Sequence, residues 1–287
     1  MGDLEIDSRV VPSGEAAGDG TSRYTAKLSP DWAIWGPNGG YVASVALRAA
    51  GLATGRARPA SIVAHFLGVA AFDEVDLTVT TLRSSRFATS ARVSLTQGDR
   101  PILEALVWGL DPGGAALDHD AGPAPDVPPV EHVPSRDERI AALPADQQGP
   151  PPFPFFDNLD QHPVDWVGSW PPPGPLDPVA CSWTRFRPTA TFADPWVDAC
   201  RLLIPIDTYG WPAASRAHAH VDPPEAVAVT VDLSVRFHRP AGDEWLLVET
   251  TSPVATGGLA AATGQVWDRA GTLLASGGQT MMCRPAS

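Results

Sequence analysis

The chain has 287 residues, 44% of them hydrophobic, and a net charge of −13, so it can bury a substantial core and has no excess of basic surface. Nucleic acid and anionic membrane are therefore excluded as expected partners, since both attract cationic faces, whereas an anionic ligand stays compatible because a local cluster or helix N-terminus can outweigh the global sign. No stretch approaches 18 uninterrupted apolar residues and the opening MGDLEIDSRVV has neither a basic nor an apolar region, so no membrane span and no secretion signal is expected.

Residues 1–21 are polar and Gly-rich and read as a loose arm. Arg23 to Leu28 alternates as a strand. Asn38 then caps an apolar run that ends at Gly51; it is apolar nearly all round, which predicts a buried helix. Strands follow at 61–67, 75–83, 86–96 and 101–109, with hairpin breaks at Ser84-Ser85 and Gly98-Asp99. Residues 112–178 are rich in proline, including Pro150-Pro151-Pro152 and Pro171-Pro172-Pro173, and cannot form a central sheet. They read as a connector with a short helix at 135–143. Its aromatic part (Phe153, Phe155, Phe156, Trp166, Trp170) is too apolar for a free linker and should pack on the body. After a strand at 180–186, Asp194-Pro195 opens a second helix that Pro205 should kink or end. Strands at 226–238, 244–252, 257–267 and 272–283 complete the chain.

Strand, helix, four strands thus occurs twice. The second copy echoes the first: Phe66 matches Phe237, Asp73-Glu74 matches Asp243-Glu244, and Leu103 matches Leu274, at offsets of 170 or 171 residues. A duplicated unit of this size predicts two similar subdomains with a site between them. The boundaries read as 1–111, 112–178 and 179–287.

Three passages carry a family resemblance: WGPNGGYVASVAL, VTVDLSVRFHRPAGDEWLL and LLASGGQTMMCR. Together with the repeated order they resemble the double-hotdog acyl-CoA thioesterases, the type II bacterial and peroxisomal family. The resemblance implies an α+β chain of two fused hotdog subdomains, each a curved antiparallel sheet wrapped around a central helix. It also implies hydrolysis of acyl-CoA to free acid and CoA with no metal and no cofactor. The family's acid, hydroxyl and glutamine fall on Asp207 in LLIPIDTYGWP, Thr230 in AVTVDLS and Gln279 in SGGQTMM.

Those residue types suit the reaction. A carboxylate can hold and deprotonate a water, while a hydroxyl and an amide can each donate and accept to fix its orientation. The carbonyl oxygen needs N–H donors, and the start of the first helix offers Gly39, Gly40 and Tyr41, with glycine allowing close approach. Trp32, Trp35, Trp211 and Phe237 lie in the neighbouring segments, where they either line an acyl tunnel or pack the core. The histidines form no metal constellation: His218 and His220 belong to an exposed loop, and His65 and His238 to the core edge. The three cysteines, Cys181, Cys200 and Cys283, are odd in number without metal-ligand spacing, which fits reduced thiols in a cytoplasmic protein. Two other readings remain open: a non-catalytic acyl-CoA or fatty-acyl binder on the same fold, and an enoyl-CoA hydratase, for which only the Asp157 and His162 spacing speaks. Further assembly as a homo-oligomer is compatible with the sequence.

Overall fold

The two sequence repeats become two halves of one continuous sheet. The computed structural model describes residues 1–14, 20–113, 117–148, 153–168, 172–218 and 226–285. In chain order the first half contains α1 (Leu4–Asp7), β1 (Val11–Pro12), β2 (Thr21–Lys27), α2 (Gly39–Thr54), β3 (Arg58–Phe66), β4 (Glu74–Ser84), β5 (Ala88–Gln97) and β6 (Arg100–Leu110). The connector contributes α3 (Arg136–Ala141) and β7 (Leu159–Pro163). The second half contains β8 (Val179–Phe186), α4 (Pro195–Thr208), α5 (Gly210–Arg216), β9 (Ala226–Phe237), β10 (Leu246–Thr256), β11 (Leu259–Trp267) and β12 (Leu273–Pro285).

The strand order is β1-β2-β4-β5-β6-β3-β9-β12-β11-β10-β8-β7. Each half repeats one pattern, β2-β4-β5-β6-β3 and β8-β10-β11-β12-β9, and the halves join where β3 pairs antiparallel with β9. The offset of 171 residues between Phe66 and Phe237 also carries Val63 to Ser234, and those two residues are paired. A pseudo-twofold axis therefore passes through that pair. At the next strand the echo slips by one residue. Phe66 pairs with Leu103 and Phe237 with Ala275, so the structural mate of Leu103 is Ala275 rather than Leu274.

Both central helices form for local reasons and stay for tertiary ones. Asn38 caps α2 by accepting from the Tyr41 N–H, and Asp194 caps α4 by accepting from the Trp196 N–H, with Pro195 at the first turn. Gly55, at φ 61°, closes α2 in the left-handed region. The helices are packed side by side within one core, where Leu47, Ile62, Leu203 and Val235 are fully buried. Each such side chain contributes about 1.5–3 kcal/mol by leaving water. The approach is close at both ends. A Cβ on Gly40 would lie 2.8 Å from the Ile204 Cα, and one on Gly51 would lie 2.6 Å from the Trp196 ring. The helices therefore run antiparallel, with the start of α2 beside the end of α4.

Three expectations change. The N-terminal arm is not loose over residues 1–14: Leu4 is 1% exposed, Gly2 donates to Asn158, and Trp32 donates to Asp7. Pro205 does not end α4, which continues to Thr208. The connector does not only link, because β7 adds an edge strand and Val130, Val133 and Val127 cover Trp183, Trp245 and Trp267 on the face of the sheet away from the helices. Of its aromatics, Phe155 is fully buried against Trp32, Phe153 meets Trp35 edge to face, and Trp166 lies under Arg139; Trp170 lies outside the described residues, as does His220.

Candidate active site

Asp207 sits in the last turn of α4, where the start of α2 meets it. Its Oδ2 accepts from the Gly40 N–H at 2.7 Å and from Asn38 Nδ2 at 3.4 Å; Asn38 also donates to Thr208 Oγ1 at 3.2 Å. The acid comes from one repeat and its principal donor from the other.

Thr230 reaches the same spot through an irregularity in β9. Leu233, Val235 and Phe237 point into the core, so regular alternation would turn Thr230 outward. However, Thr280 pairs with Asp232 and Met281 with Thr230, which leaves Val231 as an extra residue. This bulge turns Thr230 inward, as bulges beside active sites commonly do. The Thr230 hydroxyl lies 2.9 Å from Asp207 Oδ1 and 2.9 Å from Gln279 Oε1. Gln279 projects inward from β12 opposite Leu233. Its Nε2 donates to the Asp207 carbonyl at 2.5 Å and the Ile206 carbonyl at 3.4 Å, two of the last-turn carbonyls of α4 that need outside donors. That fixes the amide orientation and leaves Oε1 facing Thr230.

The cluster is one proton short. Thr230 has a single hydroxyl hydrogen, and two acceptor oxygens converge on it. Asp207 is 6% exposed and Gln279 4%. Burial raises the Asp207 pKa above the usual carboxylate range, against the opposing pull of the hydrogen bonds from Thr230, Gly40 and Asn38. A buried acid whose pKa is moved toward neutrality is suited to accept a proton from water.

The structure thus brings Asp207, Thr230 and Gln279 together. The three helix-start donors fare differently from the expectation that all point outward. The Gly40 N–H is taken by Asp207 and the Tyr41 N–H by the Asn38 cap, while the Gly39 N–H has no partner among the described residues. Gly39 is also beside the acid: a Cβ there would lie 3.1 Å from Asp207 Oδ2. Trp32 and Phe237 are core residues, and Trp35 is 65% exposed. His162 packs on Trp245, on the face of the sheet opposite Asp207.

Three residues near the acid were not anticipated in these roles. Asn38 was legible as a helix cap, but its bridge to Asp207 and Thr208 was not. Tyr209, buried after α4, accepts from Gln161 Nε2 at 2.6 Å and shares a hydrogen bond with Thr184 Oγ1 at 2.8 Å. Gly210 carried no local signal at all. Among the described residues no group of three His, Cys, Asp or Glu side chains is placed to hold a metal ion, and no helix is long and apolar enough to cross a membrane.

One helix held against five strands, twice, with the two sheets joined edge to edge, is the double-hotdog architecture. The model of the acyl-CoA thioesterase N-terminal domain matches residues 28–109, and that of the C-terminal domain matches residues 131–283. The chain belongs to the acyl-CoA thioesterase family and is a thioesterase. A search of curated proteins found no significant match. Among solved structures the chain resembles acyl-CoA thioesterase II TesB2 of Mycobacterium marinum, at 21% identity and a TM-score of 0.75 over 99% of both chains. It also resembles the tesB protein of Mycobacterium avium subs paratuberculosis, at 21% identity and a TM-score of 0.75 over 98% of both. A more distant likeness is the dehydratase domain of PpsC from Mycobacterium tuberculosis, at 16% identity and a TM-score of 0.56 over 97% of this chain and 99% of that one. At these identities the likenesses speak to the fold.

Proposed function

We propose that the protein hydrolyses acyl-CoA thioesters to free acid and CoA by direct attack of a water held by Asp207, Thr230 and Gln279. The observation that carries this reading is the proton deficit at Thr230. A water placed there donates one hydrogen to Asp207 Oδ1 or Gln279 Oε1 and presents its lone pair to the substrate. As its oxygen bonds to the thioester carbon, its proton passes to Asp207. The carbonyl oxygen becomes an oxyanion, for which the Gly39 N–H, unpartnered among the described residues at the positive end of α2, is the donor. Collapse of the tetrahedral intermediate breaks the C–S bond, and the departing thiolate takes the proton from Asp207. The atoms balance with no further reactant.

The test is release of free CoA thiol from acyl-CoA, with Asp207→Ala, Thr230→Ala and Gln279→Ala as controls. Turnover lost in the variants supports the mechanism. Binding of acyl-CoA without thiol release by the wild type would instead establish a binding protein on this fold. Cytoplasmic residence belongs to the same proposal. It is supported by the buried free thiols of Cys181 and Cys200, both pushed up to about 12 by burial and so inert as nucleophiles.

A further inference from the structure

The proposed chemistry requires the Gln279 carboxamide in one pose, nitrogen on the Asp207 carbonyl and oxygen toward Thr230. The side chain lies against the first residue of α5. A Cβ added to Gly210 would sit 1.8 Å from Gln279 Nε2, 2.7 Å from its Cδ and 3.3 Å from its Cγ. All three nearest atoms belong to that one side chain. Gly210 is not among the glycines of positive φ, so its backbone would suit any residue, and it is the space that is needed. Nor is the junction free to step back. Tyr209 is tied by its hydroxyl to Gln161 on β7 and Thr184 on β8, and its N–H donates to the Pro205 carbonyl.

We infer that Gly210 is a positioning residue for the hydrolysis: the room left by its missing side chain is the socket that seats the Gln279 carboxamide. This inference rests on the reading of Asp207, Thr230 and Gln279 as the water-holding cluster. A methyl group at this position displaces the carboxamide and takes Oε1 away from Thr230. The threonine hydrogen is then given wholly to Asp207 Oδ1, which favours the charged acid. The acid limb of the pH–rate profile accordingly moves to lower pH, and the water loses one of its two acceptors.

The experiment compares Gly210→Ala, Gln279→Ala and the double variant by steady-state hydrolysis across pH and by thermal melting. Gly210→Ala is expected to lower kcat about 10²-fold, the scale of a misplaced catalytic group, with KM little changed and the acid limb shifted down. In the Gln279→Ala background the same substitution should change neither kcat nor the limb. The double variant should melt above Gly210→Ala alone, because the methyl then occupies vacated room. Wild-type kcat and an unmoved limb in Gly210→Ala would overturn the inference, as would an equal loss of rate in both backgrounds. If Gly210→Ala does not fold, recovery of folding in the double variant supports the socket, and its failure to fold overturns it. A wild-type rate in Gln279→Ala would sink both this inference and the mechanism beneath it, whereas failure of the Gly210 arm alone leaves the Gln279 loss standing.

Discussion

The two ends of the α2–α4 pair are related by the pseudo-twofold axis, yet they are built differently. The caps Asn38 and Asp194 are equivalent and 156 residues apart, so Gly40 corresponds to Trp196 and Gly51 to Asp207. The strand pairings extend the correspondence. Thr230 opposite Met281 matches Pro59 opposite Gly109, and Gln279 opposite Leu233 matches Val107 opposite Ile62. The mates of acid, hydroxyl and amide are thus a glycine, a proline and a valine. The volume that a carboxylate would need is filled by the Trp196 ring, held by its N–H on the Arg56 carbonyl at 2.7 Å. One end keeps a polar cluster short of a proton, and the other is packed shut and satisfied. On the proposed mechanism, joining two copies in one chain let chemistry be concentrated at one end and stability at the other.

The sharpest way to break this comparison is Asp207→Asn, which removes the proposed base and supplies the missing hydrogen at once. The introduced amide accepts from Gly40 and donates to Thr230, whose own hydrogen is then free for Gln279. Hydrolysis should fall about 10³-fold or more, measured as thiol release. Thermal stability should rise at neutral pH. Burial holds the Asp207 carboxyl above its usual range, so the folded protein binds that proton more tightly than the unfolded chain does. Its contribution to stability is full below the unfolded value, about 3.9, and is lost as pH rises through the raised value. Melting curves across that window should show the wild type losing ground to the variant, while wild-type activity climbs. A variant no more stable than wild type at neutral pH would contradict the proton deficit.

At the closed end the expectation is reversed. Trp196→Ala should cost about 3–5 kcal/mol of unfolding free energy by leaving a cavity, with kcat of the folded protein unchanged. A parallel loss of kcat would show that the two ends are coupled. The halves differ again in the buried pair Asp198 and Arg201, whose mates in α2 are Val42 and Val45. The arginine donates to the Ala241 and Asp243 carbonyls and the aspartate accepts from the Ala241 N–H, which clamps the β9–β10 turn to α4. Arg201→Met should cost about 3 kcal/mol or more by stranding a buried charge, and the double change Asp198→Val with Arg201→Met should recover part of that in denaturant titrations. The smallest expected effect is Thr230→Ser, which keeps the hydroxyl and should leave kcat within about tenfold of wild type, against about 10²-fold lost in Thr230→Ala. Equal losses would mean that the methyl group, not the hydroxyl, matters.

Periodicity exposed the ten main strands and both central helices because each buries one face, and the repeat exposed their pairing into halves. The residues at the proposed centre were legible through the family resemblance. What was hidden depended on contacts distant in sequence. The segment from Gly2 to Asp7 has too little apolar content to predict order, yet it is held by Asn158 and Trp32 from elsewhere in the chain. Alternation alone aims Thr230 at solvent, and only the bulge at Val231 reverses it. The glycine-rich helix start suggested close approach of a ligand, but no local rule could show that Asp207 would arrive there and claim the Gly40 N–H.

The glycine and tryptophan placed at opposite ends of the helix pair also settle which halves can marry. Two N-terminal halves brought together would set Gly40 against Gly51 at both ends and leave holes. Two C-terminal halves would drive Asp207 into Trp196 twice. Only the unlike couple fits, so the chain carries in its own packing a bar against self-pairing of either subdomain, whether during synthesis or between neighbouring molecules.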